Sequence, residues 1–201
     1  MAKGAVLVQG DALDEETVQA AVATASEAGE NGLSGMAHLV GSIALRPPHA
    51  TKLEDFQSVL QTNLVSAFLA LKTAGKAMLK LGQGRMVFTS SVAGSYGLTN
   101  HEAIAAAKGG IEAMVRSAAS TYAGRGLRVN AVAPGLTETR LGATVLRSDA
   151  IREASVGMIP LKRINEPEEI AQSMHWLLTD APDNLTGQII HLDGGMSALR
   201  G

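Results

Sequence analysis

Short apolar runs alternate with amphipathic stretches along the whole chain, and the apolar spacing shifts between a strand period and a helix period. Residues 5–9 form the first apolar run. Residues 15–28 then place Val18, Ala21, Val22 and Ala25 on one side of a helix. Residues 37–42 read as a second strand. Residues 51–79 read as one long amphipathic helix, with Thr51 and Glu54 in a capping-box pattern. A third strand is expected over 85–89. An alanine-rich helix follows over 100–124, stopped by Gly124 and Gly126. A fourth strand over 128–133 ends at Pro134-Gly135. One or two mobile helices are expected over 141–158, a helix over 166–178 with Pro167 in its first turn, and a last strand over 188–192. Apolar strands separated by helices predict an α/β fold, a parallel sheet covered on both faces.

Composition narrows the function classes. The 201 residues are 46% hydrophobic and 18% charged, which suits one globular domain spanning 1–201. A net charge of -2 gives no basic surface for nucleic acid or anionic lipid. No run reaches the length of a membrane span. The run at 4–10 is too short for a signal sequence and precedes Asp11, Asp14, Glu15 and Glu16, so the expected location is the cytoplasm. Cysteine is absent, and the histidines at 38, 49, 101, 175 and 191 make no ligand-spaced pair, so no metal site is expected.

In parallel α/β sheets ligands bind beyond the carboxyl ends of the strands. That rule directs the search to residues 10–11, 41–42, 90–91, 134–139 and 193–195. Ser91 would stand at a strand end, where its hydroxyl either meets a substrate oxygen or satisfies a turn. Asn63 falls on the apolar stripe of the long helix, and a buried amide there needs partners. Lys108 sits among alanines and glycines, either as a solvated lysine or as a cation lowering a neighbouring acid's pKa. Hydroxyls and backbone donors over 134–139 suit an amide or a phosphate, or form a plain loop.

Individually weak, these signals are specific in their order and spacing. Ser91, the helix carrying Lys108, the segment from Val129 through Asn130 to Pro134-Gly135, and Gly187 to Gly195 together resemble the short-chain dehydrogenase/reductase family. Asn63 is similar to that family's helix asparagine, and the stretches 160–163 and 166–170 to its late segment; the resemblance covers essentially all 201 residues. It implies a Rossmann-like sheet, NAD or NADP as cofactor, and interconversion of a small-molecule alcohol and ketone. By the resemblance, Asn63 would hold a proton-relay water, Ser91 would steady the substrate oxygen and Lys108 would bind the nicotinamide ribose. Asn130 would support the sheet. Pro134, Gly135, Leu136, Thr137 and Thr139 would flank the carboxamide and pyrophosphate, Gly41 would lie in the loop approaching the cofactor, and Asp11 would contact adenine. A homodimer or homotetramer would form through 51–79 and 100–124.

Three departures qualify what is implied. The family's catalytic tyrosine lies four residues before its lysine, and here that position is Ile104, which has no proton to give. His101 is the nearest substitute, since residues 101, 104 and 108 would share a helix face; Tyr96 is a poorer one. The family's Asn-Asn-Ala-Gly is replaced by Leu39, Val40, Gly41 and Ser42. No glycine fingerprint for a dinucleotide occurs anywhere, so the first βαβ portion is lacking, affinity is expected to be weak and the choice between NAD and NADP is unreadable. In the family's strand order 3-2-1-4-5-6-7, that loss would expose apolar edges. As the structure this chain would adopt, residues 5–9 are expected to move beside 37–42 through a right-handed crossover; as biology, the chain is expected to be an incomplete product of a longer enzyme.

The leading expectation is therefore an NAD(P)-linked oxidoreductase, impaired or inactive as the chain stands, with 141–158 shaping the pocket. The alternative is a non-catalytic subunit or scaffold. A hydrolase or lyase using Ser91 and His101 ranks lower, because no Gly-x-Ser-x-Gly elbow surrounds Ser91.

Overall fold

The computed structural model describes residues 5–199. Four strands form one parallel sheet in chain order: β1 (Gly35–His38), β2 (Gly84–Thr89), β3 (Leu127–Pro134) and β4 (Ile189–Leu192). The two central strands are almost wholly buried, which is why they read as continuous apolar runs. Their alternating side chains sort onto two faces. Met86, Phe88, Leu127 and Val129 pack against helices α3 (Ser66–Leu81) and α4 (Glu102–Tyr122). Val87 and Val132 pack against Ile170, Met174 and Leu177 of α7 (Pro167–Thr179). This is a Rossmann-like arrangement, a parallel sheet flanked by helices.

Local signals explain most helix bounds. Helix α1 (Glu15–Ala28) starts where the Asp14 carboxylate accepts from the Glu16 and Thr17 amides, and it lies against α3 through Val22 and a Lys72–Glu15 ion pair at 2.7 Å. Short helices α5 (Arg140–Ala143) and α6 (Asp149–Gly157) fill the segment read as one or two helices. Glu166 and Glu169 form a capping box at the start of α7.

Four expectations need correcting. Residues 5–9 are not a strand: they join no ladder, Val6 is 68% and Leu7 73% exposed, and β1 has a neighbour only on its β2 side among the described residues. An apolar run becomes a strand only where another strand takes its backbone hydrogen bonds, and the crossover that would have supplied one does not form. The strand expected over 37–42 stops at His38, leaving 39–42 as a loop. The long helix is two, α2 (Leu53–Leu60) and α3, joined by a π-helical turn (Gln61–Val65). Thr51 does not cap it: its hydroxyl donates to the Pro47 carbonyl, and Lys52 precedes the helix without a side-chain cap.

Candidate active site

The carboxyl ends of β2 and β3, the loop after β1 and the flank of α7 enclose a cavity of about 330 Å³. Gly41, Asn63, Ser91, Lys108, Pro134, Gly135, Leu136, Thr137 and Thr139 all line it. The structure thus gathers at one mouth nine of the residues singled out in the sequence. Ile104, Leu141, Val145, Ile170 and Met174 make much of the remaining wall apolar.

Asn63 is fully buried in the π-helical turn. Its side-chain amide donates to the Val59 carbonyl at 2.9 Å and to the Ser42 carbonyl and hydroxyl, while its Oδ1 accepts from the Ser42 amide at 3.2 Å. One amide therefore holds the loop 39–42, where the family's own asparagines are absent. Gly41 is needed beside it: a Cβ there would stand 2.9 Å from Asn63 Oδ1 and 3.5 Å from Lys108 Nζ.

Lys108 is 6% exposed and donates from Nζ to the Thr89 carbonyl at 2.8 Å. Among the described residues it makes no ion pair, and burial holds its amine down at about 8. The Thr89 hydroxyl in turn donates to the His38 carbonyl at 2.9 Å, joining the lysine's acceptor to β1. His38 is itself buried, with Nε2 3.0 Å from the Ser66 hydroxyl and Nδ1 without a partner. Desolvation, with the Lys108 charge adding to it, pushes its pKa down to about 4.

Ser91 caps the 3-10 turn Val92–Gly94 by accepting from the Ala93 amide at 3.2 Å, which leaves its hydroxyl proton free for another acceptor. Ser90, beside it, is buried and committed to Glu112, donating to Oε1 at 2.8 Å. Within the turn over 134–139, Thr139 caps α5 and Thr137 donates to the Gly135 carbonyl at 3.0 Å. Asn130 joins β3 to β4's approach, donating to the Leu185 carbonyl and accepting from the Gln188 amide.

Two site candidates do not reach this cavity. Asp11 lies in the turn before α1, where its carboxylate accepts from the Leu13 amide at 2.9 Å. His101 precedes α4 in a non-helical conformation (φ -106, ψ 12), so the face shared by 104 and 108 does not extend to it; its Nδ1 pairs with the Thr99 carbonyl at 2.8 Å. Tyr96 also stands outside, 43% exposed. The pocket-lining role of α7, by contrast, carries no sequence signal: Ile170 reads only as part of the matched stretch 166–170, and Met174 sits at ordinary core spacing.

The family profile described as enoyl-(acyl carrier protein) reductase matches residues 1–197. The chain belongs to the short-chain dehydrogenase/reductase family. Its relatives within that family include the inactive 2-(S)-hydroxypropyl-CoM dehydrogenase 2 of Xanthobacter autotrophicus, 34% identical over 196 residues, covering 96% of this chain and 85% of that one. A 3-oxoacyl-[acyl-carrier-protein] reductase of Synechocystis is 40% identical over 146 residues, covering 72% of this chain but only 57% of the relative. Among short-chain dehydrogenase/reductase structures, a protein from Beutenbergia cavernae with NADP bound at low occupancy superposes with a TM-score of 0.85 at 32% identity, over 94% of this chain and 76% of that one. The family's cofactor is NAD or NADP. No helix among the described residues is long and apolar enough to cross a membrane, and no group of three or more potential metal ligands occurs among them.

Proposed function

We propose that this chain is an NAD(P)-linked oxidoreductase for a small alcohol/ketone pair, held to a low rate by the residue at position 104. The observation that carries this reading is Ile104, 4% exposed, standing in the cavity wall one helical turn before Lys108. The surrounding residues fit the nicotinamide end of the cofactor. Gly41 keeps space open beside the Lys108 ammonium, which would reach ribose hydroxyls, and the turn over 134–139 would flank the carboxamide. When bound, the cofactor supplies or accepts a hydride. The Ser91 hydroxyl donates a hydrogen bond to the substrate oxygen, and Asn63 pins the loop at Ser42 in the cavity wall. Isoleucine transfers no proton to the developing alkoxide, and loss of a positioned acid commonly lowers a rate by about 10²- to 10⁴-fold. A relative that carries the word inactive in its name agrees in direction.

Fluorescence titration with NADH and NADPH is the first test, and no binding at millimolar cofactor would overturn the reading. Ile104→Tyr is then expected to raise ketone reduction at least about tenfold. A wild-type chain already as fast as that variant would refute the role given to position 104.

A non-catalytic subunit is the second reading. The 52% exposed Phe68 on α3 lies with Leu79 and Tyr122 around a shallow hollow on the helix face expected to mediate association. Sedimentation of wild type against Phe68→Asp checks it: a dimer or tetramer that becomes monomeric supports this surface, and a wild-type monomer removes it.

A further inference from the structure

We propose a second, cofactor-independent activity at the same cavity: the Lys108 amine condenses with an apolar aldehyde to form an imine. The argument begins with how this lysine is held. Lys108 lines a 330 Å³ cavity, and among the described residues its Nζ has one hydrogen-bond partner, the neutral backbone carbonyl of Thr89. A neutral amine satisfies that carbonyl with one N–H and retains a lone pair. A carboxylate beside it would have fixed the charged form, but Lys108 has no ion pair among the described residues. The helix position one turn earlier is the apolar Ile104, so no phenol there shares a proton with the amine.

The cavity supplies the rest. Ile104, Leu136, Val145, Ile170 and Met174 present apolar surface to a hydrocarbon chain. Ser91 has a hydroxyl proton free to donate to a carbonyl oxygen at the polar end. Missing side-chain bulk at Gly41 leaves room beside Nζ, since a Cβ there would come within 3.5 Å of it. Burial also lowers the amine's pKa to about 8, so about half of Lys108 is neutral and nucleophilic at pH 8.

The step balances without an oxidant or reductant. The Nζ lone pair forms a bond to the carbonyl carbon while the carbonyl π pair moves to oxygen. A proton passes from nitrogen to that oxygen, giving a carbinolamine. The oxygen then leaves as water while nitrogen and carbon form the C=N bond.

This inference shares the cavity with the oxidoreductase reading but does not rest on it, and the test contains no NAD(P). The 201-residue protein is incubated with hexanal and sodium cyanoborohydride at about pH 8, which delivers hydride to the imine carbon and locks the product as a secondary amine. Peptide mapping with a protease that does not cut at lysine then locates the adducts. Lys108 is expected to label at least about tenfold faster than the exposed Lys52, Lys72, Lys76, Lys80 and Lys162, because the cavity holds the aldehyde beside it and burial lowers its own pKa from 10.5 to about 8. Ala171→Phe, which narrows the cavity from α7, is expected to slow labelling of Lys108 by hexanal while formaldehyde still reaches it. Labelling of Lys108 no faster than that of Lys72 in the wild type would overturn the proposal, and so would hexanal labelling indifferent to the narrowing. Cofactor binding without an adduct would reject the imine alone. An adduct without cofactor binding would reject the oxidoreductase reading alone.

Discussion

The two flanks of the sheet are built differently. On the flank from β2 through β3 to β4, every strand has its ladder partner, and Met86, Val87, Phe88, Leu127, Val129 and Val132 are fully buried. The outer edge of β1 has no ladder partner among the described residues, and residues 5–9, as apolar as a strand, join no ladder and carry Val6 and Leu7 at 68% and 73% exposure. Equal hydrophobicity thus leads to opposite fates. What separates them is whether a neighbouring backbone offers donors and acceptors at ladder spacing, and that is settled by the topology of the whole chain rather than by the run itself.

The comparison can be broken most forcefully at Phe88. Phe88→Ala should cost about 3–5 kcal/mol of stability and bring the urea midpoint down accordingly. A loss below about 1 kcal/mol would mean that this flank is not the tightly packed one.

Next in size are two buried bases where the flanks meet. Lys108 has a folded pKa lowered from 10.5 to about 8, so between those values the unfolded chain binds more protons. Stability should therefore rise with pH from about 8 to 10.5, by on the order of 3 kcal/mol. His38 has a folded pKa lowered from 6.5 to about 4, and by the same sign stability should fall as pH drops from 6.5 toward 4. Denaturant melts across pH check both. Lys108→Met should flatten the alkaline rise, and His38→Leu the acid fall. If His38→Leu leaves the acid limb intact, β1's inward face is wetter than its 5% exposure indicates.

The smallest effect is expected on the open flank. Leu7→Ser should change stability by no more than about 0.5 kcal/mol in the same melts. A larger loss would show that residues 5–9 are covered in solution.

These differences also explain what sequence reading could and could not reach. Helix α1 was readable to the residue because its start depends on a local cap, Asp14, that needs no distant partner. Ser91, Lys108 and the turn over 134–139 were readable as candidates because strand ends and helix spacing place them on one rim. Asn63 was readable as a buried polar residue, but its partners at Ser42 and Val59 were not, since they depend on where the loop 39–42 settles. His101 misled because helical spacing was extended one residue past the first helical turn, where the backbone is not helical. Ile170 and Met174 do not read as pocket lining because core packing and pocket lining demand the same apolar residues at the same intervals.

The π-helical turn at Gln61–Val65 has a consequence for how this helix tolerates change. An α-helix advances about 100° per residue, so the wider loop puts the two helical segments out of phase by one position. Shortening the chain by a single residue there would restore a regular spiral and, in doing so, swing the Asn63 amide about a quarter-turn off its loop or carry all of α3's buried face away from the sheet. The irregular turn thus constrains the length of the chain at this point as well as the identity of Asn63.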